Sequence, residues 1–170
     1  MLFDFADLSS QDRYKLLIST IVPRPIAWVT SLDVHGRLNA APFSFFNAFV
    51  GDPPIVGIGV GGRREEDHPG TWKDTGANIR ATGQFVVNLV PYALREAMNV
   101  TAIEFGAHVD ELAEAGLTTA PSAKVRPPRI AESPVSIECE RFVVLDVNVD
   151  RAIVLGCVVA MHVHDAAVLD

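Results

Sequence analysis

Apolar residues in this chain alternate with polar ones in short runs more often than they recur at helical spacing, which predicts strands with a few helices between them. "SSQDRYKLLIST" (9–20) offers N-cap candidates at Ser9 and Ser10 and sets Tyr14, Leu17 and Ile18 at helical spacing, so it predicts a short N-terminal helix. "PRPIAWVTSL" (23–32) is apolar and β-branched, and its prolines confine strand structure to Ile26 onward. "DVHG" (33–36) reads as a turn, with "LNAAPFSF" returning as the partner strand. "PPIVGIGVG" (53–61) is another strand, whose glycines signal a bulge or a close backbone approach.

Beyond it, 62–72 reads as an irregular charged loop, and Asp74 to Thr82 as a helix stopped by Gly83. "QFVVNLV" (84–90) is a strand, followed by two helical pieces, "YALREAMNVT" (92–101) and "HVDELAEAG" (108–116). A Pro-rich connector, 120–134, is expected to cross the surface in extended form. Two long strands finish the chain, with Asp150-Arg151 as the turn. No repeat, low-complexity tract or separating linker interrupts residues 1–170, which read as one domain. The expected fold is mainly β, an antiparallel barrel with short peripheral helices. Such a barrel offers few concave pockets, so a ligand is expected on its outer wall or at a subunit seam.

Composition narrows the function. With 49% hydrophobic and 21% charged residues the chain is an ordinary folded protein, and its net charge of -7 argues against nucleic-acid or anionic-membrane partners. Two cysteines, Cys139 and Cys157, sit in apolar strand-like stretches and read as inert core thiols of a cytosolic protein. The N-terminus carries early acids and no long apolar run, unlike a signal peptide, and no segment has the roughly 18 apolar residues of a membrane span.

Three stretches carry candidate chemistry. "APFSFFNAF" (41–49) packs four phenylalanines into nine positions around a serine and an asparagine. On a continuous strand Phe43 and Phe45 would share one face, and Ser44 and Phe46 the other, with Asn47 beginning the exit. One face suits a core; the second suits either more core or an aromatic heterocycle with a polar rim. "WKDTGANI" (72–79) places Lys73 and Thr75 at a helix start capped by Asp74 or Thr75, which is either an ordinary capped surface helix or a phosphate cradle. His162 and His164 would share one face at the end of the last strand. They read as residues without a role or as a proton donor, and the ligands needed for a metal site are missing around them. His35 sits in a turn, and His68 and His108 have no partner readable from sequence. No nucleophile elbow, dinucleotide fingerprint or Walker loop occurs, so any catalysis belongs to a bound cofactor.

Taken in order, "VPRPIAWVTSLDVHGRLNAAPFSFFNAFVGDPPIVGIGVG", "KDTGANIRATGQFVVNLV", "AMNVT", "VDELAEAGLTTAPS" and "RPPRIAESPVSIEC" resemble the flavin reductase-like, FMN-binding split-barrel family, nearest its flavoredoxin-like branch. The likeness runs from about residue 13 to 168. It implies a split β-barrel of Greek-key type, a homodimer with FMN at the subunit interface, and an oxidoreductase working through the flavin or, alternatively, an electron-carrier module. By the same resemblance Trp28, Val29, Thr30 and Ser31 would run beside the isoalloxazine. Ser44, Phe45, Phe46 and Asn47 would form its wall, and Lys73, Asp74, Thr75 and Asn78 would hold the phosphate. Members that use NAD(P)H directly carry G-D-H before the last long strand; here "VDRAIVLG" puts Arg151 in place of that His, which leaves NAD(P)H as donor an open expectation. The redox partner is not readable from the sequence.

Overall fold

The computed structural model describes residues 1–62, 72–103, 105–106 and 109–168. Helix α1 (Ser10–Thr20) is capped by Ser9, whose hydroxyl accepts from the Asp12 N–H. It buries none of its residues, so Tyr14 and Leu17 remain at the surface. Seven strands then form one antiparallel sheet: β1 (Ala27–Leu32), β2 (Leu38–Phe43), β3 (Phe46–Gly51), β4 (Pro54–Val60), β5 (Gln84–Asn88), β8 (Val135–Asp146) and β9 (Ala152–Val163). Between β5 and β8 lie α3 (Arg95–Val100), α4 (Glu111–Glu114) and a two-stranded ladder of β6 (Thr119–Ala120) and β7 (Arg129–Ile130). Helix α2 (Asp74–Thr82) precedes β5 and stops, as its sequence predicts, at Gly83 with φ 74°.

The strand order is β2-β1-β5-β8-β9-β4-β3, so the two edges of the sheet, β2 and β3, are consecutive in the chain. Alternate residues of β1, β2, β4, β5, β8 and β9 point into one core that includes Val29, Phe43, Ile58, Phe85, Ile137 and Val154, with Ile79 of α2 closing one end. A sheet that surrounds a single core while its edges are joined only by a short corner is a split barrel. Trp28, on the opposite face of β1 from Val29, anchors a second cluster with Ala40, Leu112 and Ile130, and its indole N–H donates to Thr101 Oγ1 at 2.9 Å. This second cluster binds α4 and the connector to the barrel wall.

The connector departs from the expected extended surface crossing. Val125, Pro127 and Ile130 are buried, because a carboxylate inside the wall pulls the loop down. Glu138 of β8 is fully enclosed and accepts the backbone N–H groups of Ala123 (2.7 Å), Lys124 (2.6 Å) and Val125 (3.1 Å). His162 Nε2 meets the same carboxylate at 2.5 Å. Thr30 Oγ1 then donates to the Pro128 carbonyl, and Asn88 Oδ1 accepts from Ile130 N–H and from Ser136 Oγ, so the far end of the loop is held as well.

No helix among the described residues is long and apolar enough to cross a membrane. Cys139 and Cys157 are free thiols; burial, with help from Cys157 and Glu138, pushes Cys139 up to about 12, which leaves it inert.

Burial alone would raise the Glu138 carboxyl, but the three amide donors and His162 outweigh it and hold the group below its ordinary value of 4.5. A carboxyl depressed by folding contributes stability above its unfolded value and loses it as pH falls through the folded one. Glu138→Gln turns an NH2 toward the same donors and should cost about 1–3 kcal/mol at neutral pH. In urea titrations the gap between the two proteins should narrow below about pH 4.5; parallel stability curves would contradict this. A second test lies at Gly156 of β9, where an added Cβ would stand 2.4 Å from Phe85 Cζ. Gly156→Ala should therefore lower the unfolding midpoint by about 1–3 kcal/mol of stability.

Candidate functional site

The corner that joins β2 to β3 is where the chain departs most from a reading by alternation. Ser44 and Phe45 are bend residues between the strands, and Gly59 N–H donates to the Phe45 carbonyl at 2.8 Å. Two residues outside the ladder reset the alternation. Phe43 and Phe46 consequently face the core, whereas Phe45 stands outside it, and Asn47 lies within β3 rather than at a strand exit. Phe45 and Phe49 lie along β4 at Gly59 and Gly57, where an added Cβ would stand 3.0 Å from the Phe45 Cβ and 2.5 Å from the Phe49 ring. This is the close approach that the glycines signalled; the bulge is in β3, between Ala48 and Val50. Both rings stay open to solvent, at 47% and 63% exposure, and Tyr14 of α1 meets Phe45 edge-on at 6.2 Å.

Two clefts flank this corner. One, of about 290 Å³, runs along Ala41, Pro42 and Phe43 of β2 toward Lys73–Thr75, with Ile103 and Phe105 opposite. The other, of about 380 Å³, is an apolar groove bounded by Ile21, Arg24, Ser44, Phe46, Asn47 and Phe49. Arg24 fixes the groove's end by donating from one Nη to the carbonyls of Ile18 in α1 and of Ile21, its C-cap residue.

The first cleft ends on α2. Lys73 occupies the N-cap position and makes no side-chain capping bond, so Asp74 is the first helical residue and not the cap, and Thr75 is not the cap either. The Thr75 side chain turns instead to Asn39 of β2, 2.8 Å away, and is almost wholly enclosed. Asn78, one turn on, donates from Nδ2 to Ser31 Oγ at 3.1 Å, which ties α2 to β1. By helix geometry the amides of the first turn have no intrahelical acceptor, and Lys73, Asp74 and Thr75 of this turn line the end of the cleft.

The candidate residues therefore sort into groups. Lys73, Asp74 and Thr75 line the β2 cleft, and Ser44, Phe45, Phe46 and Asn47 line the corner groove. The side chains of Trp28, Val29, Thr30 and Ser31 are enclosed and committed to packing or internal hydrogen bonds, so they underlie the clefts. The two histidines do not share a strand face: β9 ends at Val163, and His164 is an exposed residue starting the 3-10 turn Asp165–Ala167. His162 is spent on Glu138. His68 and His108 lie outside the described residues, as do most of the charged loop and the start of the second helical piece. Among the described residues no group of His, Cys, Asp and Glu could hold a metal.

Sequence reading missed Asn39 and Glu111. Asn39 is a nearly buried polar residue on β2, and the half-buried Glu111 of α4 accepts from Ala40 N–H at 3.2 Å. Burial, reinforced by Asp74 and Asp110, raises the Glu111 carboxyl above its ordinary value despite backbone donors that pull it down.

The β2 cleft joins a flat apolar wall to a cation, a hydroxyl and a helix N-terminus at one end. That donor set fits a planar heterocycle carrying a phosphate, as a flavin nucleotide does.

Comparisons with known proteins give the family. The family model described as flavin reductase like domain matches residues 19–169. A protein of Deinococcus radiodurans is 39% identical over 99% of this chain and 74% of its own length. The solved structure of Pseudomonas fluorescens 2-nitrobenzoate 2-nitroreductase NbaA is 33% identical and superposes with a TM-score of 0.86 over 98% of this chain and 78% of its own. Nitrilotriacetate monooxygenase component B from Bacillus cereus is 29% identical, with a TM-score of 0.92 over 100% of this chain and 84% of its own. The chain thus belongs to the flavin reductase-like family, whose chemistry is flavin-linked oxidation and reduction.

Proposed function

We propose that the chain is an FMN-dependent oxidoreductase that works as a homodimer, with the flavin phosphate at Lys73–Thr75 and the ring along the β2 wall. The observation that carries this reading is the β2 cleft, which sets an apolar surface and an anion-attracting end within one space. A bound flavin supplies electron and hydride transfer; the protein supplies binding, orientation and exclusion of water. Lys73 and the first-turn amides of α2 fix the phosphate end.

A nitroreductase and a monooxygenase component among the similar structures support an enzyme over a passive carrier. The electron donor stays open between NAD(P)H and another reductant, because Arg151, exposed and 3.9 Å from Asp150, stands at the β8–β9 turn where members that use NAD(P)H directly carry a His. The free thiols support a reducing, cytoplasmic setting.

Exposed aromatic surface supports the dimer. Phe45, Phe49 and Val50 lie on or beside edge strand β3, and a symmetric partner would cover them and the groove next to them. The two candidate ligand motifs line different clefts within one chain, so a second copy is also what could bring the 44–47 motif of one protomer to the ring held by its partner.

Two outcomes follow. Lys73→Ala should weaken FMN about ten- to a hundredfold by fluorescence titration, the worth of one charge-assisted bond to phosphate; unchanged affinity would remove Lys73 from the site. Sedimentation of the FMN-loaded protein should give a dimer, and Phe49→Asp should shift it toward monomer. A wild-type monomer holding FMN tightly would overturn the interface reading.

A further inference from the structure

Asn39 stands between two groups that make opposite demands on its amide. With Glu111 ionised, the orientation that satisfies every neighbour has Nδ2 donating to Glu111 Oε1 (3.2 Å) and Oδ1 accepting from the Thr75 hydroxyl (2.8 Å) and from Ala40 N–H (3.3 Å). The Thr75 hydroxyl has one proton, and in this arrangement it is given to Asn39. An anion arriving at Thr75 needs that proton.

If the hydroxyl turns to the anion, its oxygen must be met by a donor, and the amide does this by turning over so that Nδ2 donates to Thr75 Oγ1 at the same 2.8 Å. Oδ1 is then left facing Glu111 Oε1. Two acceptors 3.2 Å apart are stable only with a proton between them. Ala40 N–H keeps its second acceptor, Glu111 Oε2, in either arrangement.

We propose that seating a phosphate on Thr75 draws one solvent proton onto Glu111 through reorientation of the Asn39 amide, so that Asn39 and Glu111 act as positioning residues that make flavin binding proton-linked. The proposal rests on the phosphate reading given above. No bond of the ligand changes: the hydroxyl proton of Thr75 moves from an amide to a phosphate acceptor, and the new proton goes to Glu111 Oε1. The surroundings favour that proton. Among the described residues Glu111 faces Asp74 from α2 and Asp110 from its own cap position, with Lys73 in the same cleft and Asp33, His35 and Arg37 in a further pocket that Asn39, Asp74 and Glu111 also line. Asp33 and Arg37 pair with each other at 2.6 Å, and Asp74 and Asp110 both disfavour a charged Glu111. The raised carboxyl of Glu111 fits the same picture.

The sign follows directly. Phosphate binding favours protonated Glu111, so FMN affinity should fall as pH rises through the Glu111 titration, and proton uptake should occur between its free and bound values. The test is calorimetric titration of FMN into the wild-type protein, Glu111→Gln and Asn39→Ala, in buffers of different ionisation heat from about pH 5 to 8. The second ionisation of the phosphate, near pH 6, contributes equally to all three proteins. Wild type should take up as much as about one proton more than Glu111→Gln, whose amide mimics the protonated acid. Glu111→Gln should bind FMN roughly tenfold tighter than wild type at pH 8, the equivalent of about one pH unit of linkage. Riboflavin, which lacks the phosphate, should show no difference between the proteins. Equal proton counts for wild type and Glu111→Gln across the range would overturn the proposal. An undiminished uptake in Asn39→Ala would overturn the relay, leaving direct repulsion between Glu111 and the phosphate. Either failure is separable from failure of the phosphate reading, which shows as Lys73→Ala binding FMN like wild type.

Discussion

Two residues, Ser44 and Phe45, have to carry the chain from one edge of a seven-stranded sheet to the other, and the surface chemistry of the barrel follows from how they do it. Strands paired antiparallel around one core leave little freedom. β2 must end with Phe43 inside and β3 must begin with Phe46 inside, so the two residues between them cannot also point inward. The bond from Gly59 N–H to the Phe45 carbonyl satisfies the backbone at the turn and fixes the aromatic ring on the outer wall. Gly57 and Gly59 then allow Phe49 and Phe45 to lie against β4 itself. One closure constraint thus yields a filled core, an exposed aromatic surface and a cleft on either side of the corner.

The polar interior serves the same wall. Glu138, Asn88, Ser136 and Thr30 are all buried, and each spends its hydrogen-bonding capacity on the connector or on the strand beside it. Burying a carboxylate is costly unless it is met by donors, and three backbone amides and an imidazole meet this one. The connector in turn covers the outer face of β1, where Trp28 lies. This is how both faces of "AWVTS" come to be enclosed: the connector and its cluster cover Trp28, and the barrel core takes Val29.

Much of this was legible in the residues. The strands, the bounds of α2 and its stop at Gly83 could be read because they depend on neighbours within a few positions. The corner could not, since alternation presumes an unbroken strand and only closure against β4 interrupts it. His164 failed for a related reason: the strand ends one residue earlier than its apolar run suggests. Glu138 in "VSIECERF" was visible as a carboxylate in an apolar strand, but its amide partners lie on a loop that sequence alone leaves extended. Asn39 was harder still. Its partners are on α2 and α4, and no local pattern distinguishes a strand asparagine that faces a site from one that faces water. Family likeness named the strands and the helix start, and side-chain geometry added the groups between them.

A chain of net charge -7 has no long-range field to offer an anion, so any phosphate it holds must be held locally. Screening over about 8 Å at physiological salt removes most of the remote repulsion and leaves Lys73, the first-turn amides of α2, Asp74 and Glu111 to decide the balance. Among the described residues lining the cleft, two carboxylates, Asp74 and Glu111, border one lysine. A free inorganic anion gains only this end of the cleft, and an uncharged heterocycle gains only the apolar wall of Pro42, Phe43 and Phe105. A molecule that carries both parts at the right separation gains both terms while losing translational freedom once. On the proposed reading, the weakness of each half would make the cleft select a ring joined to a phosphate over either part alone.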